Sequence, residues 1–496
     1  MASQEPQPAS LWNSPVPYQR IRITREGDLE CLYPLIASYV SSPSLADSVT
    51  ELVLNTEDWP SQWSQWWAQS QQGRPPLPVR DDAHAALETH VRGLGLGDPA
   101  TEAMVRALEW KRQHLKGEDA GALKDIIPNT RKFAMAAAVV LLSVCRNIVT
   151  LYVGDVRAGR ESPLTAYLLK SNYGLLPQPG LQRLERVEII TGSSMSSDER
   201  NYGRVEFLEY FQYFHRLPAI QSIVAEGVQE YQANLQVFVP RTGNIKKIHI
   251  GYADASVDML ATIIRIPKAL EEFKLSLGGL WSTDGGLPVI VPSTLGKSLF
   301  QHKDTLKVLD LDIEIALKCM SGRSHSSDEE DNAERDRSLA EMCEKNEYFR
   351  LDRETSLNPL WTQDPPDTRK YGHTIGSLHD FKVMTHLSIG MKALMGPVSG
   401  WQAPFRLAEQ PPARLIDALP PSLEYLCFYG YTKGSNEDID GQVQELMEKR
   451  AERLPLLREV RGVDEMVLDM GSIYSEDGDE DDLWERPERD LGWVEV

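Results

Sequence analysis

Ten histidines and five cysteines are the side chains best suited to metal or nucleophilic chemistry, so their spacing comes first. No HxxxH, HExxH or Gly-x-Ser-x-Gly occurs, which leaves no zinc-protease or hydrolase signature. Cys31, Cys145, Cys319, Cys343 and Cys427 are scattered without a CxxC pair. That pattern argues against a disulfide framework or a zinc knuckle and suits reduced thiols. GLGLGD at 93–98 lacks the third glycine of a dinucleotide fingerprint, and it lies between two helical stretches rather than after a strand. It is expected to be a helix-joining turn. No catalytic residue, cofactor or metal ligand is expected.

Other residues suit recognition. Trp59, Trp63, Trp66 and Trp67 are spaced for one helical face. Such a face packs onto a core, or anchors a partner or a carbohydrate if exposed. Ser326 and Ser327 precede Asp328-Glu329-Glu330-Asp331, a pattern suited to an acid-directed kinase.

The elements that would position these residues follow from composition and periodicity. The chain has 496 residues, of which 41% are hydrophobic and 25% charged, so it is globular in class. Its net charge of −21 argues against nucleic acid and anionic membranes as partners. The acidic tail from Glu476 holds net −8 and the segment 321–347 holds net −5, leaving −8 on the rest. Both segments lack apolar surface to offset ordering, so both are expected to be disordered. The tail nevertheless carries Leu483, Trp484, Leu491 and Trp493, which could form a short docking segment. The N-terminus, MASQEPQPAS, has no basic start or apolar core of a signal peptide. The most apolar run, Ala134–Cys145, is too short for a membrane span and is expected to be a buried helix. Localisation is expected to be intracellular, cytoplasmic or nuclear.

Between these segments, six-residue windows with apolar residues at positions one, four and six recur. They begin at Val49, Ile148, Leu184, Ile220, Ile245, Leu270, Leu306, Met384 and Leu423. This is the LxxLxL core of a leucine-rich repeat, each window supplying one short parallel strand. Positions four and six point inward, while position five faces the open, concave side. Helices are expected between strands, over Arg131–Arg146, Gly203–Arg216 and Ser256–Ile266, the last stopped by Pro267. Asp81–Lys116 reads as two helices, with Asp98 as N-cap and Pro99 in the first turn. The asparagine of a regular repeat is replaced by Glu57, Val156, Ala253 or Glu314, so the repeats are irregular. The fold class is therefore α/β, an irregular leucine-rich-repeat solenoid with helices outside.

The positions facing the open side define the candidate partner-binding residues: Tyr152, Arg186, Glu188, Lys247, His249, Lys274, Asp310, Tyr425 and Tyr429. Glu51, Glu272 and Asp312 share that face, and His386 is expected there as a contact residue. Mixed charge with aromatics suits a protein partner rather than nucleic acid.

SPVPYQRIRI (14–23), followed by CLYPLIASYVSSPSLADSVTELVLN (31–55), resembles fungal F-box and leucine-rich-repeat-like proteins. Pro43, Leu45, Ala46, Val49, Leu52 and Leu54 match that group's stretch into the first repeat. GLQRLERVEI (180–189) and LPPSLEYLCF (419–428) match its repeat openings. The resemblance implies a substrate-recognition array. The F-box itself, a helical module with Leu-Pro and Glu-Leu pairs, is not visible in residues 1–13, so a ubiquitin-ligase adaptor is expected as partner only if that module lies outside this chain.

The expected organisation is a disordered 1–13, a solenoid over 14–470 and an acidic tail at 471–496. A helical insertion at about 57–130 and the acidic insert at 321–347 interrupt the solenoid. The expected function is a non-enzymatic interaction scaffold for a protein partner. The alternative is an enzyme whose active site lies in the inserts between repeats.

Overall fold

The computed structural model describes residues 16–23, 28–55, 79–117, 123–154, 156, 162–190, 207–228, 238–277, 290, 292–314, 317, 348, 374–396, 414–469 and 494–495. The chain divides into two compact units. The first comprises 1–192, 210–221 and 487–496, and the second 193–209 and 222–486. The stretch 191–206, TGSSMSSDERNYGRVE, supplies no 1-4-6 window at that boundary.

In the first unit, β1 (Tyr18–Ile23) runs parallel to β2 (Glu51–Leu54), which pairs with β3 (Thr150–Val153) and then β4 (Arg186–Ile189). Ile21, Leu52, Leu151 and Val187 stand in register across these four strands, all fully buried. The α1 helix (Asp28–Ser41) links β1 to β2. A block of three helices, α2 (Asp81–Gly93), α3 (Asp98–Lys116) and α4 (Leu123–Val144), separates β2 from β3. The insertion therefore extends beyond residue 130, because the apolar run belongs to a helix that begins at Leu123. Within α4, Ile126–Val144 is long and apolar enough to cross a membrane by composition. Its residues Phe133 to Leu142 are at most 7% exposed, and α1, α3 and α5 (Pro163–Asn172) pack on this helix.

GLGLGD is the turn joining α2 and α3, with Gly95 at φ +72° and Gly97 at φ +95°, conformations that need no Cβ. The N-cap of α3 is Gly97, not Asp98. Asp98 is instead the first helical residue, where its carboxylate still faces the positive end of the helix.

The second unit repeats the scheme with seven strands in sequential parallel order. They are β5 (Ser222–Glu226), β6 (Lys247–Ala253), β7 (Glu272–Leu277), β8 (Val308–Asp312), β9 (His386–Gly390), β10 (Tyr425–Tyr429) and β11 (Glu459–Arg461). Parallel neighbours require crossovers, and helices supply most of them. The sequence also holds α6 (Phe207–Phe214), ahead of β5. In α7 (Val257–Arg265), the Ser256 side chain accepts from the Met259 N–H at 3.2 Å, a conventional N-cap. Between β7 and β8 lies α8 (Pro292–Phe300), in which a Cβ at Gly296 would stand 1.9 Å from the Ile375 carbonyl oxygen. Only glycine permits that approach. Among the described residues, the second unit also holds α9 (Met391–Met395), α10 (Leu415–Ala418) and α11 (Glu437–Arg453), the last capped by Asn436.

Positions one, four and six of all nine windows are at most 4% exposed, so the period read from sequence is the period of the core. Burial of this apolar surface is the main term favouring each unit. Strands β1 and β11 are additional. Tyr18, Ile21 and Ile23 form a tenth 1-4-6 window, all buried. At β11 the window is Leu457–Val460–Gly462, and a Cβ at 462 would lie 2.1 Å from the Phe428 carbonyl oxygen.

Val156 and Ala253 are buried aliphatics. Glu314, 3% exposed, accepts from the Lys392 backbone N–H at 3.0 Å, the backbone-bonding role a repeat asparagine would fill. The tryptophans at 59–67, Glu57, Ser326, Ser327, the insert 321–347 and the tail residues 471–493 lie outside the described residues, as do residues 1–13.

Candidate interaction surface

The open face of the second unit is built by the strand register. One row reads Lys247, Glu272, Val308, His386, Tyr425 and Glu459 across β6 to β11. The row two residues on reads His249, Lys274, Asp310, Ser388, Cys427 and Arg461. Adjacent strands stand about 4.8 Å apart, so neighbours within a row can interact directly.

Glu272 is the hub of the β6–β7 end. It accepts from His249 Nε2 at 2.8 Å and pairs with Lys274 Nζ at 3.1 Å and Lys247 Nζ at 3.5 Å. Partial burial pushes its carboxyl upward, but Lys274 and His249 outweigh that, and the net shift is downward. A second carboxylate beside it, Glu271, pairs with Lys246 at 3.2 Å and Lys307 at 2.6 Å.

At the β8–β10 end, Tyr429 donates to Asp310 Oδ1 at 2.7 Å. Burial raises the Asp310 carboxyl above its ordinary range, despite the tyrosine and Lys274. Burial, with Asp310 beside it, also pushes the Tyr429 phenol upward. His386 stacks on Tyr425 with ring centroids 5.7 Å apart. Cys427 is only 4% exposed, and burial raises its thiol, so it is not poised as a thiolate nucleophile.

Six of the nine candidate residues, Lys247, His249, Lys274, Asp310, Tyr425 and Tyr429, stand together on this face. The other three belong to the first unit: Tyr152 on β3, and Arg186 and Glu188 on β4. Two positions depart from open contact residues. Glu188 is 5% exposed and bonded by Arg186 at 3.1 Å, and Asp312 is 6% exposed. Both lie near the ends of their strands. His249 and His386 lie on strands separated by β7 and β8, so they share no metal site. Among the described residues, no group of three or more His, Cys, Asp or Glu side chains could hold a metal ion.

One polar constellation has no signal in the sequence. In the helical block, Tyr33 of α1 meets His84 Nδ1 of α2 at 2.7 Å, and His84 Nε2 meets Glu109 of α3 at 3.0 Å. The carboxylate assigns the proton to Nε2, so the phenol donates to Nδ1. Arg112 holds Glu109 at 2.7 Å and bridges to Asp81 at 2.9 Å. The order of groups imitates a catalytic relay, yet Tyr33 is fully buried against Phe133. It therefore ties three helices together rather than meeting a substrate.

Compared with family models, curated proteins and solved structures, the chain matches none of them.

Proposed function

We propose that the chain is a non-enzymatic interaction scaffold of leucine-rich-repeat type, whose open sheet face recognises a protein partner. The observation that carries this reading is the ordered face of the second unit. Its acids, bases and aromatic rings alternate along strands whose backbone is held on both sides by neighbours. A rigid support lowers the entropic cost of presenting Lys247, Tyr425 and Tyr429 to a partner. The mixed signs favour a folded protein or a peptide of mixed charge over nucleic acid, which requires a predominantly basic surface.

The resemblance to fungal F-box and leucine-rich-repeat-like proteins supports a substrate-receptor role within the same proposal. An intracellular setting, cytoplasmic or nuclear, fits the scattered thiols and goes with it. Raised carboxyl, phenol and thiol groups at Asp310, Tyr429 and Cys427 suit a neutral contact surface better than a poised base or nucleophile.

The test is quantitative affinity capture with the full chain and with the double variant Lys247→Glu, Tyr425→Ser. The expected result is a stoichiometric protein partner whose recovery falls at least tenfold with the variant, while thermal unfolding is unchanged. Equal recovery by both chains would remove the open face from recognition. No partner, together with turnover in a substrate screen, would favour the enzyme alternative.

A further inference from the structure

At the β6–β8 end of the open face, the two signs of charge lie at different depths. The side chains of Lys246, Lys247, Lys274 and Lys307 are 44–56% exposed, whereas the carboxylates they share, Glu271 and Glu272, are 25% and 15% exposed. Register explains the arrangement. Glu272 opens β7 opposite Lys247 of β6, and Lys274 follows it two residues on along β7. Glu271 precedes β7 and is reached by Lys246, just before β6, and by Lys307, just before β8. A lysine stem is long enough to cross to the acid and still keep its ammonium in water. Such partly exposed pairs contribute little stability, and an ammonium has three donors, so one shared carboxylate does not exhaust it.

We propose that this lysine cluster binds a short acidic stretch of a protein partner, one carrying carboxylate or phosphoester side chains. The assignment rests on the open-face reading above and names the chemistry of the ligand at one end of that face. Three observations support it. First, the cluster is cationic. Four lysines share Glu271 and Glu272, and counting Asp310, within electrostatic reach of Lys274 and His249, still leaves one positive charge in excess. Second, the donors are already gathered for a carboxylate. His249 Nε2 and Lys274 Nζ converge on one oxygen of Glu272, and Lys247 Nζ on the other. An incoming acid meets the same ammonium groups from the solvent side. Third, the excess is local. Glu226 on β5 and Glu459 on β11 are exposed at either side. Three strands at about 4.8 Å spacing match roughly three or four residues of extended peptide. A long polyanion such as nucleic acid would run into the flanking acids, whereas a short acidic stretch fits between them.

The experiment measures fluorescence anisotropy with the full chain and three labelled peptides. One carries a run of aspartates within a glycine–serine frame, and the others replace the run with phosphoserines or with lysines. Both acidic peptides are expected to bind, more weakly as NaCl is raised, and the lysine peptide is not. The tighter of the two acidic peptides identifies the anion. Lys247→Gln combined with Lys274→Gln should weaken both at least tenfold with unchanged thermal unfolding, whereas Tyr425→Ser, at the other end of the face, should bind them normally. A second readout needs no variant. In the wild-type chain, acetylation of Lys246, Lys247, Lys274 and Lys307 should slow when the tighter acidic peptide is bound, while that of Lys449 on α11, 48% exposed, should not. Acidic peptides that bind no better than the lysine peptide would overturn the assignment, as would equal protection of Lys449. A single-stranded oligonucleotide that binds as tightly and protects the same lysines would make the cluster a general polyanion site and overturn it too. Partner capture lost with Tyr425→Ser but kept by the double lysine variant would sink this assignment and leave the open-face reading standing. Capture kept by both variants would overturn the open-face reading and this assignment with it.

Discussion

Tyr429 on β10 donates its phenolic hydrogen to Asp310 on β8, reaching across the intervening strand β9 at 2.7 Å. The bond is possible because register places Asp310 opposite Ser388, and Ser388 opposite Cys427, two residues before Tyr429. A long aromatic side chain spans that diagonal, whereas a short one would not. The half-buried carboxylate is thereby held by a charge-assisted bond.

The two partners should respond differently to mutation. Tyr429→Phe leaves the carboxylate half-buried without its donor and should cost the second unit about 2 kcal/mol at neutral pH. Asp310→Asn keeps an acceptor for the phenol and removes a charge whose ionisation is disfavoured in the fold. Its stability at pH 7 should equal or exceed that of the wild type. Urea unfolding of both variants checks this, and a larger loss for Asp310→Asn than for Tyr429→Phe would refute it.

His302, nearly fully buried, receives the Leu270 N–H on Nδ1 at 3.2 Å and meets the Ile264 carbonyl through Nε2 at 2.7 Å. That pair of bonds requires the neutral ring, and burial pushes its pKa down to about 4. The unfolded chain binds a proton near pH 6.5, so stability is full above that value and declines as the pH falls toward 4. The decline attributable to this residue should be about 3 kcal/mol. His302→Gln should be less stable at pH 7 and should show a shallower loss between pH 6.5 and 4. An unchanged slope would assign the acid sensitivity elsewhere.

Gly296→Ala should destabilise the second unit by roughly 1–3 kcal/mol, because the added methyl meets the Ile375 carbonyl rather than a side chain that could swing away. Gly93→Ala, where a Cβ meets nothing within 4 Å, is the control and should not lower stability. Thermal unfolding of the pair separates steric approach from the general effect of losing a glycine.

Cys145 and Cys427 should resist maleimide at pH 7 in the folded chain, since both thiols are buried and raised by burial. Denaturant should make both reactive. Mass spectrometry of the labelled peptides reads the outcome, and rapid native labelling of Cys427 would contradict the closed packing between β9 and β11.

Much of the fold was legible because one-dimensional spacing maps directly onto strand faces. Windows such as Leu270–Phe273–Leu275 and Met384–Leu387–Ile389 are buried at each predicted position. Ser256 as the opening of α7 was legible too, since capping is decided within four residues. At β11 the apolar residue at position six is Gly462, and the signal is lost because packing against the Phe428 backbone selects for no side chain at all. The one-residue shift at α3 arises because Gly97 adopts a conformation whose need is invisible to a capping preference.

The candidate surface was legible in kind but not in its wiring. Position-five and position-seven residues fall on the open face because side chains alternate along a strand, a local rule. Which of them pair was decided by register between strands as far apart in sequence as Asp310 and Tyr429. The division of the nine candidates between two units, the Tyr33–His84–Glu109 tie and the return of Val494–Glu495 to β1 were likewise decided in three dimensions. Periodicity specifies which face of an element avoids water. Only the folded chain specifies which distant element meets that face, because that choice depends on the summed packing of many contacts and not on any local preference.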